Sequence, residues 1–289
     1  MSLTLPIFEG AGTYNNPYRI NNAKDLNQLR IYVNTGASPY ADLGTVYQQT
    51  TDIDLSAYSP WSHIGLNSSY PFKGLYNGNG YKISNITVQP SGLDTGLFGS
   101  AEKATLQNII IESGNITSNR WVGGIVGCAS NTNISGCINK AIITSTGGFA
   151  GGIVGYFIRR SGSIYLIDCA NFGAINANGT ITNQKYGGGI AGALSGVAYI
   201  SVSRLFNAGS ITTTENDVIY AIHGSGASGY LTNSYFDSDT TLAPTQAGAT
   251  GIVTANCLGE NALNAGNLTN LGKIYWKTTA GYPVPINTK

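Results

Sequence analysis

The stretch GGIVGCASNTNISGCINKAIITSTGGFAGGIVG, residues 123–155, opens and closes on the same five residues. Related forms flank it: GLFG ending at Gly99, GGIAG ending at Gly192 and a degraded AIHG ending at Gly224. Successive terminal glycines lie 28, 28, 37 and 32 residues apart. Self-similarity at a period of roughly 20–50 residues marks stacked units, none of which can bury its apolar face alone.

Between the glycine motifs each unit carries a second apolar segment: IIIESGNI, CINKAII, CANFGAI and LFNAGSI, in chain order. Aligning them predicts two inward columns, Ile110, Cys137, Cys169, Leu205 and Ile116, Ile143, Ile175, Ile211. One aliphatic residue per coil in each column is what a β-helix core requires. A third column, Asn139, Asn171, Asn207, falls at a bend, with Glu112 and Asp237 as end members. Stacked asparagines can bond one another and the turn backbone, so their spacing fits a structural ladder better than a ligand track. The paired glycines serve bends needing positive φ or close backbone approach. The fold expected is all-β: a right-handed parallel β-helix, the hand following from the strong bias of parallel crossovers.

Outside the array, residues 22–33 read as an amphipathic helix, with Asn21 or Asn22 as cap, Leu26, Leu29, Tyr32 and Val33 on one side and Gly36 as its stop. It is expected to cover the open first coil. Thr45 to Leu55 reads as a strand with Val46, Ile53 and Leu55 inward, and Asn77-Gly78-Asn79-Gly80 as a tight turn between two strands. After residue 240 the repeat is lost. A short helix near 261–271 and a cap in which Trp276 and Tyr282 shield the last coil are expected there. The organisation expected is therefore one domain over residues 1–289: an N-terminal cap (1–60), coils (61–240) and an irregular C-terminal cap (241–289).

Composition excludes several functions. The chain has 289 residues, a net charge of +1 and only 10% charged residues. Nucleic-acid affinity comes largely from phosphate neutralisation, and polybasic membrane binding needs clustered cations, so neither partner is expected. No stretch is long and apolar enough for a transmembrane helix. The opening MSLTLPIF lacks the basic region and apolar length of a signal peptide, so an exported protein is expected to present this chain as a mature fragment. Cys128, Cys137, Cys169 and Cys257 form no CxxC pair and lie far in sequence from His63 and His223. No metal site and no cofactor are expected. Cys137 and Cys169 occupy equivalent positions, close enough for a disulfide if their Cβ directions allow, though two buried thiols are the better reading.

The longest repeat carries its extra residues at 157–165 and 176–186, and solenoid insertions often map to the binding face. Arg159 and Arg160, with Phe157, Tyr165 and Tyr186, are the candidate ligand-binding residues for an acidic or sugar ligand; solvated loop positions are the plainer reading. Carboxylates that might line an enzymatic face are Asp52, Asp54, Asp94, Asp168, Asp217, Asp237 and Asp239. They form no compact pair in sequence. Asp52 and Asp54 read better as turn hydrogen-bond acceptors, and the DSD at 237–239 lacks the glycine and glutamate of a calcium loop.

The glycine motifs at 96–99, 123–127, 151–155 and 188–192 resemble the GLUG-motif repeats of bacterial surface proteins. GTYNNPYRI, KDLNQLRIYVN, TDIDLS, FKGLYNGNGYKISNITV and the terminal GYPVPI resemble the usual frame around such arrays, so the likeness covers nearly the whole chain. The family occurs in adhesins and as an accessory region of immunoglobulin A-specific metallopeptidases. The resemblance implies an extracellular, surface-exposed β-helical module without catalytic residues; His63 and His223 supply no HExxH motif. The function expected is adhesion or display, through a host glycan or extracellular protein, beside other domains of a larger surface protein. The alternatives are a rigid stalk and a β-helical polysaccharide lyase or glycoside hydrolase.

Overall fold

A computed structural model describes residues 7–90, 94–178, 186–196, 200–213, 218–226, 231–244 and 246–289. The chain winds into a right-handed parallel β-solenoid of about seven turns. One coil shows the plan: five short strands, Val122–Gly123, Val126–Ser130, Asn133–Ser135, Ile138–Asn139 and Ile142–Ser145, each pairing in parallel with its counterparts in neighbouring coils. Stacked over the described coils they make five sheets. We call these, in the same order, the corner, groove, tyrosine, asparagine and threonine sheets.

Register turns the repeat into a core. The inward column of the tyrosine sheet runs unbroken as Tyr18, Tyr47, Tyr76, Leu106, Ile134, Leu166, Val202, Leu231. Ile116, Ile143, Ile175 and Ile211 stack as expected, with Val88 ahead of them. The other expected column is displaced at one end. Ile110 pairs with Ile138, so Ile109, fully buried, takes the place beside Cys137, and Ile110 faces outward. The bend at 112–114 holds one residue more than the bend at 140–141, so alignment from the downstream isoleucines slips by one.

Asn139, Asn171 and Asn207 form the expected ladder, each fully buried. Asn139 Nδ2 donates to Asn171 Oδ1 and Asn171 Nδ2 to Asn207 Oδ1, both at 2.8 Å. Every rung also binds the bend two residues on, as Asn139 does the Ala141 carbonyl at 2.9 Å. The neighbours of the ladder are Ile111 and Phe236; Glu112 and Asp237 lie one residue beyond, so their expected place in the ladder is corrected. Asn207 Nδ2 ends instead on Thr241 Oγ1 at 3.0 Å. The ladder explains the second glycine of each pair. A Cβ on Gly124, Gly152 or Gly189 would overlap Asn139, Asn171 or Asn207. None of these glycines has positive φ, so close approach is what the motif selects.

Positive φ appears at a different corner. Asn108, Gly136, Asp168, Arg204 and Asn233, one per coil between the tyrosine and asparagine sheets, have φ between 50° and 65°. The Asn77–Gly80 turn occupies the same corner one coil earlier, and the strands beside it, Leu75–Asn77 and Lys82–Ser84, enter different sheets. Residues 45–55 likewise split into Val46–Gln49 and Ile53–Asp54, with Tyr47 rather than Val46 inward.

The first coil is closed by the helix Ala23–Thr35. Asn22 Oδ1 accepts from the Asp25 amide at 3.0 Å, Asp25 accepts from the Asn21 amide at 2.9 Å, and Gly36 ends the helix at φ 69°. Leu26, Leu29 and Val33 are buried against the edge strand Tyr18–Ile20. At the other pole Asp237 caps the helix Ser238–Thr241, and Gln246 accepts from the His223 amide at 3.1 Å. Residues 258–289 then turn back along the outside of the asparagine sheet. They pack on its outward column Ile110, Ile138, Ala170, Phe206 and Tyr235, with Leu263, Leu268, Leu271 and Trp276 buried. The last residues reach Gly80 and Tyr81: the Lys289 amide donates to the Gly80 carbonyl at 3.3 Å. This segment is a strap along the flank rather than a shield for the last coil alone. At 261–271 it holds turns and one 3-10 turn, Thr269–Leu271, in place of the expected helix.

Candidate functional site

The other flank, where the corner sheet meets the groove sheet, carries no strap among the described residues. The outward residues at the start of the corner sheet's strands, or just before them, form a row: Asp94, Trp121, Phe149, Tyr186, Val218. Trp121 and Phe149 lie parallel with centroids 6.0 Å apart, and Tyr186 follows at 5.5 Å from Phe149. Beside this row the groove sheet presents Ser100, Cys128, Tyr156, Ala193, Ser225 outward. Ser100 and Cys128 are small and leave a hollow; Tyr156, edge-on to Trp121 at 4.7 Å, walls it off at the next coil. The resulting groove has a volume of about 540 Å³, in the usual range for a small-ligand site. Asp94, Glu102, Arg120, Trp121, Ser130 and Arg160 belong to its polar lining, together with Asn67, Ser68 and Ser100.

Its electrostatics are unfinished. Asp94 is only 7% exposed, and burial pushes its carboxyl up to about 6, against the opposing pull of Arg120. Arg120 Nε approaches Asp94 Oδ1 at 3.2 Å, out of line for a hydrogen bond, while its guanidinium covers the Trp121 ring at 4.3 Å. Asp94 Oδ1, Trp121 Nε1 and Ser130 Oγ are buried atoms with no hydrogen-bond partner; among the described residues the only other such atoms are the two ring nitrogens of His63. A buried polar atom left unpaired costs about 1–3 kcal/mol, so three around one hollow call for an explanation.

The candidate residues from the sequence separate. Arg160 lines the groove, its amide held at 2.7 Å by Asn131 Oδ1 from the preceding coil. Tyr186 continues the aromatic row. Arg159 turns into its own loop, Nε donating to the Gly162 carbonyl at 2.5 Å. Tyr165 stands outward on the tyrosine sheet, beside Ser201. Phe157 is fully buried in the core and cannot contact a ligand. Residues 179–185 of the second insertion, and Asp217, lie outside the described residues. Trp121 and Asp94 were not singled out as binding residues, although alignment on the residue two before each glycine pair would have placed Trp121, Phe149 and Tyr186 in one row.

The remaining acids have structural partners. Asp52 accepts from the Lys82 amide at 2.9 Å and Asp54 from the Ser56 amide at 2.8 Å. Asp168 holds Arg204 through two bonds of 2.7 Å and accepts Trp276 Nε1 at 3.1 Å, while Arg204 lies 4.1 Å from the Tyr275 ring centre. Asp237 accepts the Tyr282 hydroxyl at 2.6 Å, and Tyr282 stacks on Phe172. These contacts anchor the strap. All four cysteines are buried free thiols; burial and, after it, the neighbouring Cys137 push the Cys169 thiol up. His223 is packed against Gln246, and burial lowers its pKa to about 4. Among the described residues no three His, Cys, Asp or Glu side chains gather as a metal site would need, and no helix is long and apolar enough to cross a membrane.

No family model matches the chain. Over 147 residues, 46% of this chain, it is 32% identical to halomucin of Haloquadratum walsbyi, of which the match spans 2%. Over 115 residues, 37% of this chain, it is 35% identical to a protein of Evansella cellulosilytica named "Putative Gly-rich membrane protein", of which the match spans 12%. The chain thus corresponds to a small part of the curated relatives it matches. A solved structure named as that of a putative immunoglobulin A1 protease from Bacteroides ovatus superposes with a TM-score of 0.61 at 18% identity, over 98% of this chain and 96% of that one. At that identity the shared property is the fold.

Proposed function

We propose that this chain is a non-catalytic adhesion and display module of an extracellular or surface protein, and that it captures a glycan or protein ligand in the groove beside Trp121. The observation that carries this reading is that three of the residues lining one hollow, Asp94, Trp121 and Ser130, each hold a buried polar atom with no hydrogen-bond partner. A rigid solenoid suits display, since its stacked coils resist bending at the site and hold it away from whatever the rod is joined to. The relatives support a module rather than a whole protein, because each match is a small part of a long chain.

A glycan and extracellular-protein array tests the reading. The parent chain is expected to bind, and Asp94→Asn and Arg160→Ala to weaken binding while the melting curve stays cooperative. Binding that survives both changes, or a folded parent that binds nothing, overturns it; the second result favours the stalk. One observation favours the enzymatic reading: Asp94, raised to about 6, shares the groove with Glu102, an arrangement that could pair an acid with a base. Release of new reducing or unsaturated sugar ends from a polysaccharide panel, lost in Asp94→Asn, would establish it.

A further inference from the structure

Given that the groove is a binding site, we infer that it takes a neutral carbohydrate, recognised through adjacent hydroxyl groups set against Asp94, Trp121 and Ser130. The inference rests on the reading above and narrows it by the chemistry of the unpaired atoms. Asp94 Oδ1 needs a donor, Trp121 Nε1 needs an acceptor, and Ser130 Oγ can take either part. A hydroxyl both donates and accepts, so a ring bearing neighbouring hydroxyls answers all three with one kind of group.

Charge argues against an ionic ligand. The groove pairs two carboxylates, Asp94 and Glu102, with two guanidinium groups, Arg120 and Arg160. An anion would face Asp94, and a cation would face Arg120, which already lies against the same carboxylate at 3.2 Å. The lining's own charges balance, two against two, and a third charge beside the half-buried Asp94–Arg120 pair costs desolvation that a neutral ligand does not.

Peptide binding by strand addition is disfavoured for a different reason. That mode needs an unpaired sheet edge. The groove floor is the outward face of the groove sheet, where Phe98–Glu102, Val126–Ser130 and Val154–Ile158 already pair with one another. Recognition there falls to side chains, with Pro71, Ala101 and Ile158 offering apolar contact to the C–H faces of a sugar ring. Stacking on Trp121 is not invoked, since Arg120 and Phe149 already lie against that ring.

The test titrates the whole chain with neutral, sialylated and sulfated oligosaccharides and a peptide panel, beside Trp121→Phe and Ser130→Ala. Trp121→Phe keeps an aromatic ring and removes only the open N–H and part of the ring edge. The expected result is binding of neutral oligosaccharides, weakened about tenfold in Trp121→Phe, the size of one hydrogen bond to a neutral group, with unchanged melting. Binding confined to sialylated or sulfated sugars, or to peptides, and lost in Trp121→Phe would overturn the neutral-sugar inference and keep the groove as a site. Neutral sugars bound equally by parent and both variants would overturn the groove itself. No binding by a folded parent would overturn both.

Discussion

The rod carries the same three residue types, an aspartate, an arginine and a tryptophan, on two flanks in two different states. Under the strap, Asp168 and Arg204 meet through two aligned bonds of 2.7 Å, and Trp276 Nε1 donates to the same carboxylate. Beside the groove, Asp94 and Arg120 meet at a single misaligned 3.2 Å approach, and Trp121 Nε1 has no partner. The first trio fastens one part of the chain to another through three aligned bonds to one carboxylate. The second is buried enough to feel the cost of desolvation yet lacks the bonds that would offset it. Identical side chains are structural where the chain itself completes them and are left with unpaired atoms where it does not.

Four experiments break or sharpen that contrast. The largest effect is expected from Trp276→Ala, which empties a buried site under the strap: a loss of about 3–5 kcal/mol in denaturant unfolding. A variant as stable as the parent would show that the strap is not part of the folded core. Next comes pH. Asp94 has a folded pKa of about 6, above its unfolded value, so at neutral pH its buried charge opposes folding, and that penalty fades as pH falls from about 7 toward 4. Asp94→Asn should therefore be more stable than the parent at pH 7, by up to about 3 kcal/mol, the two-unit shift converted at 1.4 kcal/mol per unit, and lose its advantage near pH 4. His223 works in the opposite sense. Its pKa is lowered to about 4, so the stability present above pH 6.5 is lost as pH falls, and acid lability should stand out more clearly once Asp94 is replaced.

Asp168→Asn, by contrast, removes a satisfied charge from a bidentate pair and should cost about 2 kcal/mol by melting at pH 7. A gain there would erase the distinction between the flanks. The smallest difference lies between the two tryptophans. Trp276→Phe withdraws a made hydrogen bond and should cost about 1–2 kcal/mol, whereas Trp121→Phe withdraws none and should stay within about 0.5 kcal/mol. Equal costs would mean that the Trp121 N–H is satisfied in solution.

The repeat, the helix and the asparagine ladder were legible because each leaves a periodic mark that packing cannot avoid. The misplaced column shows where such marks fail. Ile109, Ile110 and Ile111 are all buried, since the strap covers the outer face of that sheet as the core fills the inner one. Alternation is the usual guide to register, and a strand covered on both faces loses it. The strap itself left no repeat to follow. The groove was hidden differently: Asp94 and Trp121 are neighbours only through coil stacking, 27 residues apart. The hollow between them exists because Ser100 and Cys128 are smaller than Tyr156 in the same row, a property of a column and not of any local stretch.

The returning strap also decides how the rod would be mounted. Lys289 rests beside Gly80 and Tyr81, only a few rungs from the helix-capped pole, having come back roughly 24 Å from the far pole at about 4.8 Å per coil. Polypeptide continuing from either end would leave from the same half of the rod. A body tethered at both ends would be held like a hairpin at its base, with the far pole outward as a tip and pull concentrated on the first coils and the strap.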